Sequence, residues 1–373
     1  FFTTNIDSFG RVRIGAQANA SFPMTATNTF EIQVLEGMSF SQNTTVDTVT
    51  LNEAGAAPVR GQRSFNTALE PVDFSMSTYI RPADGGTNIT AEEGVLWNAL
   101  LSTDAIGGTA PAWTEAVSYA TVVATNSNSH QLQKFGLIIV IDGVSYIIDN
   151  CALDSATIDF GLDAIAMVAW AGKGAILRQV SGLTATTGTT VTFGGGISGT
   201  AKGKNTTAPF IANKLSTLTI EDGINGTGTA YNVAITGGSL TIANNLTYLT
   251  PANLGVVNRP FTYFTGTRAI SGSINAYLRA GATNTAGLLA DMLAGSTTDV
   301  DPAFAIEINV GGAANATRVS FNMPATVLTI PTVATEQVIS TTINFTAQGS
   351  ATNAFDIGSA NELEVKYYTT NAA

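Results

Sequence analysis

Charged residues make up only 12% of this 373-residue chain, about half the share of an ordinary globular protein. A surface so poor in charge is either uncharged-polar or covered by neighbours. The formal net charge is −11, which argues against a general nucleic-acid binder, because neutralising phosphates takes clustered Lys and Arg. A single cysteine, Cys151, excludes any internal disulfide, and a single histidine, His130, leaves little for a His/Cys metal site. Cys151 lies in an apolar block and reads as a packed core thiol. His130 lies in the polar run 126–130 and reads as a solvated loop residue; a Ser-His-Asp or Cys-His catalyst would have to be built around this one imidazole. No uninterrupted apolar run approaches the ~20 residues that cross a bilayer. The longest, 136–141, has strand length, so no membrane span is expected. The chain opens at Phe1 without a charged or apolar leader, and since Phe1 is not Met a secreted origin stays open.

Thr, Ala, Asn and Gly are abundant instead, and the second half repeats the first. Residues 66–81 align without a gap on 264–279, matching Thr67 with Thr265, Ser75 with Ser273, Tyr79 with Tyr277 and Arg81 with Arg279 at one offset of 198 (279 − 81). A Gly-led apolar stretch follows in each copy, with Leu96 opposite Leu289 and Leu100 opposite Leu293. A third block aligns 146–158 on 318–330, placing Asn150 with Asn322 and Ile158 with Ile330 at an offset of 172 (330 − 158). Three blocks in one order indicate two tandem copies of one fold, and duplication of a whole module points to assembly more than to catalysis. The expected division is a first module over residues 1–180, a Gly/Thr-rich linker or extended hairpin arm over 181–207, and a second module over 208–373.

Within each copy, alternation and β-branched content outweigh helical spacing. Strands are expected at 30–35, 46–51, 72–80, 135–141, 145–148 and 165–170, and again at 215–220, 233–235, 240–242, 270–278, 304–310, 318–321 and 338–345. The fold class is therefore mainly β, two tandem β-sandwich or barrel modules, each with one short flanking α-helix. The first helix is expected over 91–101, with Thr90 as N-cap and Glu92 and Glu93 in its first turn, and the second over 285–293. Each would close one open end of a sheet.

Candidate chemistry is thin. The glycines at 194–196 and 199 lack the Gly-Lys-Ser/Thr ending of a phosphate loop. Glu92 and Glu93 are explained by a helix start, Glu221 and Asp222 by a turn before Gly223, and Asp149, Asp154, Asp159 and Asp163 by strand ends. They fall short of a calcium loop, and no catalytic, cofactor-binding or metal-binding residue is assigned. The expectation is a protein that is not an enzyme and takes no cofactor.

The run 233–251, which carries the Gly237-Gly238 pair and ends in Tyr248-Leu249-Thr250-Pro251, continues through 254–260 and 264–273 and resembles the tail tube proteins of long-tailed bacteriophages. The first-copy counterparts at 34–43 and 64–71 resemble the same family. The resemblance implies a small β-sandwich or barrel with one flanking helix, whose long hairpins join those of neighbouring subunits into a continuous barrel around a channel. It implies six-membered rings that stack, and a channel that conducts DNA at infection without reading its sequence. The implied partners are further copies of the chain and other tail proteins such as a sheath or terminator. The implied location is the tail of the virion, assembled in the cytoplasm of a bacterial host. The usual subunit carries one tube module, whereas this chain carries two, so three chains would supply the six modules of a ring.

On this reading the inter-subunit hairpins are expected at Val46, Thr48, Thr50 and Asn52, with Glu53, Arg60 and Arg63 in the reaching loop, and at Leu240, Ile242, Leu246 and Tyr248, with Arg259 in the loop over 250–260. Arg81 and Arg279 close equivalent strands, either in an ion pair within the chain or at a subunit contact. Acidic side chains facing the channel would repel phosphate and keep transit fast. Two other classes fit the composition: an extracellular tandem-β adhesin or surface-layer protein, and a carbohydrate-active enzyme with a carboxylate pair in a cleft.

Overall fold

Period-two alternation of apolar and small polar residues dominates the chain, and the structure is accordingly mainly β. The computed structural model describes residues 2–3, 29–30, 32–50, 61–84, 89–91, 93–101, 117–120, 132, 134–141, 144–180, 184–185, 190–193, 197–200, 210–298, 303–312, 317–331, 333–334, 339–349 and 362–368. The first half is carried by β1 (Ser39–Thr50), β2 (Gln62–Tyr79), α1 (Gly94–Leu101), β3 (Phe135–Ile141), β4 (Val144–Asp159), β5 (Met167–Gly174) and β6 (Ile176–Val180). The second half is carried by β7 (Ile235–Ala243), β8 (Ala269–Tyr277), α2 (Thr285–Thr298), β9 (Phe304–Gly311), β10 (Arg318–Thr329), β11 (Ser340–Ala347) and β12 (Glu364–Tyr368).

Pairing follows one plan in both halves, antiparallel throughout. In the first, β1 pairs β2, β2 pairs β5 and β5 pairs the later part of β4, whose earlier part turns aside to pair β3 and β6. In the second, β7 pairs β8, β8 pairs β11 and β11 pairs the later part of β10, whose earlier part pairs β9 and β12. Both outer hairpins slip register at the same point, between Phe135 and Leu137 in one and between Phe304 and Ile306 in the other. Phe135 faces Cys151 and Phe304 faces Thr326. Cys151 therefore corresponds to Thr326, an offset of 175 (326 − 151), not the 172 read by aligning 146–158 with 318–330. The slip is easy to miss by sequence, because a bulge adds one residue and a shift by two keeps every side chain on its face.

The halves meet where β7 pairs the later part of β4, Ser239 facing Asp159 through Ala243 facing Ser155. One continuous sheet results, in the order β1-β2-β5-β4-β7-β8-β11-β10. One of its faces is the core. Phe74, Met76, Trp170, Ile158, Leu240, Ile242, Ile274, Ile343 and Phe345 are all buried there in a single cluster that spans both halves. The segment 181–207 contributes a separate small antiparallel sheet, Thr184–Ala185 with Thr190–Phe193 and the latter with Ile197–Thr200.

The first helix sets differently from its expected start. It begins at Gly94, and Thr90 lies in the short strand Ile89–Ala91. Glu93 is fully buried, and its backbone carbonyl accepts the Trp97 amide at 3.2 Å. Its carboxylate accepts from the Arg81 backbone N–H at 3.2 Å and from the Tyr367 hydroxyl at 2.8 Å. Tyr367 in turn accepts from the Trp97 indole N–H at 2.6 Å. The acid thus serves buried polar partners rather than solvated helix amides, and it ties α1 to β12 of the other half. Trp97 also stacks at 4.8 Å on Trp170 and 5.9 Å on Phe321, so two aromatic rings and two polar hydrogens are satisfied at one point. The second helix runs past its expected end to Thr298.

Two further contacts fix the sheet. Gly172 faces Phe74 across β5 and β2, and Gly272 faces Phe345 across β8 and β11. A Cβ at Gly172 would lie 2.3 Å from the Phe74 ring, and one at Gly272 2.5 Å from the Phe345 ring. Since Ser75 corresponds to Ser273, the ring and the glycine have exchanged strands between the copies while one ring still covers one glycine. Separately, β6 is clipped to β4 by Arg178, whose guanidinium donates to both Asp149 oxygens at 2.7 and 3.0 Å.

Gly172→Ala and Gly272→Ala should each lower stability by about 1–3 kcal/mol through overpacking, read as a fall in the urea midpoint; an unchanged midpoint would refute the close approach. Burial pushes the Asp149 carboxyl from 3.8 up to about 6, against the pull of Arg178. A folded-state pKa above the unfolded one makes the native state hold the proton more tightly, so this group's contribution to stability falls as pH rises between those two values. The thermal midpoint of the wild type relative to Asp149→Asn should accordingly be higher at pH 4 than at pH 7, and a pH-independent difference would contradict this.

Candidate assembly surface

The same alternation that buries one face of the sheet covers the other with small polar groups. A row runs Ser39, Ser75, Ala171, Ser155 across β1, β2, β5 and β4, and its counterpart runs Ser239, Ser273, Asn344, Thr329 across β7, β8, β11 and β10. Neighbouring hydroxyls bond across strands: Ser39 to Ser75 at 2.8 Å, Ser239 to Ser273 at 3.2 Å and Thr157 to Thr241 at 3.3 Å. Thr342 donates to the Asn275 side-chain oxygen at 2.8 Å. Such cross-strand pairs contribute roughly 0.2–1 kcal/mol each, and they also leave few groups free to grip a ligand. Charge on this face is sparse, with Asp73 and Lys173 paired at 3.6 Å and Asp159 farther along β4.

The expected hairpin residues divide into two groups. Val46, Thr48 and Thr50 lie on β1 and are exposed, and Thr48 meets Ser64 of β2 at 3.2 Å. Arg63 lies on β2, its guanidinium 5.8 Å from the Phe65 ring. Asn52, Glu53 and Arg60 fall outside the described residues, as does His130. Leu240 and Ile242 stand apart: both are 0% exposed, and β7 is paired on both sides, by β8 and by β4. That strand offers no free edge, because its partner is already present in the same chain. Leu246 and Tyr248 pack inward too; the Leu246 N–H donates to Asp154 at 2.7 Å, and the Tyr248 hydroxyl lies 2.6 Å from the Asn150 carbonyl and 2.9 Å from that of Lys173.

Arg259 is exposed on the loop 250–261, which docks on β2 where the Leu69 N–H donates to the Asn258 carbonyl at 2.8 Å. Leu254, Val256 and Val257 are exposed on that loop. The two matched arginines have diverged. Arg81 is buried, donates to Gln33 at 2.9 Å and lies 4.7 Å over the Phe210 ring, while Arg279 is exposed.

Chemistry-bearing groups do not converge. Cys151 is a buried thiol, its pKa pushed up by burial and by the Asp149 charge. Among the described residues there is no group of three or more His, Cys, Asp and Glu placed to hold a metal ion, and no helix long and apolar enough to cross a membrane. The buried pairing of Glu93 with Tyr367, and the exposed end of β10, escaped the sequence reading. The Glu93–Tyr367 contact joins residues 274 positions apart, and nothing local in either segment announces it.

No family model matches the chain. It is 32% identical over 352 residues to the tail tube protein pb6 of Escherichia phage T5, an alignment that covers 89% of this chain and 70% of that protein. With the mainly-β fold and its repeated strand plan, this identity shows that the chain belongs to the phage tail tube proteins.

Proposed function

We propose that the chain is a structural subunit of a phage tail tube, in which three chains, each supplying two equivalent β units, close a ring, and rings stack around a channel that conducts DNA. The observation that carries this reading is the single sheet with an apolar face, a sparsely charged hydroxyl face and, among the described residues, a strand paired on one side only at each end. An open edge leaves N–H and C=O groups unpaired, and closure across copies satisfies them. The repeated pairing plan supports two modules separated by the 181–207 segment. The relative's name supports a non-catalytic role and a place in the tail of a virion, with assembly in the host cytoplasm before release.

The hydroxyl face lines the channel in this proposal. Duplex DNA would there meet Ser, Thr and Asn already engaged with one another, and a small acid surplus from Asp73 and Asp159 against Lys173. Neutral hydroxyls already bonded to one another release no counterions on meeting phosphate, and the acid surplus repels it. The exposed apolar residues of the 250–261 loop supply a contact between stacked rings.

Negative-stain microscopy of the purified chain should show closed rings or hollow tubes, with three chains per ring by mass; monomers that bind glycans would instead favour a surface adhesin. Tubes of the Ser75→Lys/Ser273→Lys variant should retain duplex DNA several-fold more than wild-type tubes, and lose that retention as salt is raised. Equal retention would place a different face toward the channel.

A further inference from the structure

The junction at the centre of the sheet has the same two strand types as the sheet's ends. Ser39 faces Ser75 as Ser239 faces Ser273, so β1 is the counterpart of β7. Ser75 faces Ala171 and Ala171 faces Ser155, as Ser273 faces Asn344 and Asn344 faces Thr329. Ser155 of β4 therefore corresponds to Thr329 of β10, the offset falling from 175 to 174 past the bulge at Asp154, and two residues on, Thr157 corresponds to Pro331. At the centre, β4 and β7 pair with each other. At the ends, among the described residues, β1 pairs only β2, and residues 327–329 pair only β11. Each end of the sheet thus presents one half of a junction that the middle of the sheet already displays complete.

Burial registers the difference. Ala156, on the central junction, is 0% exposed, whereas its counterpart Ile330 is 46% exposed. A branched apolar side chain left half in water, beside an unpaired strand edge, marks a surface that another strand covers. Pro331 suits an edge that stays open until assembly, since it has no N–H to leave unsatisfied.

We infer that β1 of one chain pairs antiparallel with residues 329–331 of a neighbouring copy, in the register of the internal junction, so that Ser41 lies opposite Pro331 as Thr241 lies opposite Thr157. This rests on the tube reading for its partner, a second copy, and adds which edges meet and in what register. The contact is head-to-tail: each chain offers a β1 edge to one neighbour and a β10 edge to the other, and closes into a ring once the rotation adds to a full turn.

The test is oxidative cross-linking of two double-cysteine variants of the full chain under assembly conditions, with products separated on a non-reducing gel. Ser41→Cys/Pro331→Cys should link most chains to their neighbours, because directly opposed residues sit about 5 Å apart at Cα, within disulfide reach. Ser41→Cys/Thr329→Cys, the pair that an offset of 172 would put in register, should link at least tenfold less, being about 7–8 Å apart on the diagonal. Buried Cys151 stays out of reach of both. If Pro331→Cys fails to fold, Asn43→Cys/Thr329→Cys, opposed in the same register, takes its place. Efficient linking by Ser41→Cys/Thr329→Cys overturns the proposed register. Tubes seen by microscopy with neither in-register pair linking overturn the seam and leave the tube reading standing, whereas a wild-type chain that forms no polymer overturns both.

Discussion

A β-strand with nothing beside it carries a row of unsatisfied backbone donors and acceptors, and this constraint organises the chain. Within one polypeptide it is met at the β4–β7 junction, where the two halves become one sheet. That junction also fixes the core, because residues such as Ile158, Leu240 and Ile242 are buried only where the two strands run side by side. Among the described residues it leaves β1 and the end of β10 each paired on one side only. Joining two halves of like pairing in one sheet does not remove the edge problem; it moves it to the ends of a longer sheet.

The two faces of that sheet follow from alternation alone, but they have different tolerances. On the apolar face, packing density makes each volume matter, as the exchange of Phe74 and Gly172 for Gly272 and Phe345 illustrates: one partner cannot change without the other. On the hydroxyl face, Ser, Thr and Asn are interchangeable so long as a neighbour's hydroxyl stays in reach. The scarcity of charge noted in the sequence shows on this face as rows of Ser, Thr and Asn bonded to one another. Some of the charges are held in pairs, such as Arg178 with Asp149 and Arg268 with Glu362, the latter at 2.5 Å.

How much of this could be read from sequence depended on range. Alternation over 72–80 and 270–278 located β2 and β8, and the gapless match of Ser75 with Ser273 fixed their equivalence to the residue. The third block slipped, because β-branched repeats look alike every second residue and a bulge hides the odd one. The helix start was misplaced since a buried Glu93 looks, in sequence, like a solvated first-turn acid. Leu240 and Ile242 are placed in a hairpin between subunits by the resemblance, because alternation identifies a half-buried strand without saying whether its partner lies in the same chain or the next.

The Trp97–Tyr367–Glu93 chain has a consequence for how the protein is made. Trp97 and Tyr367 lie 270 positions apart, so a growing polypeptide has α1 in hand long before the hydroxyl that completes its polar contacts. Until that strand arrives, a carboxylate and an indole N–H lack their interior partner, and such groups favour water over an apolar interior. The final contacts of α1 therefore require a residue of the late half, although Arg81 already supplies one donor to Glu93. Completion of the core around α1 is thereby tied to the presence of both halves of the chain.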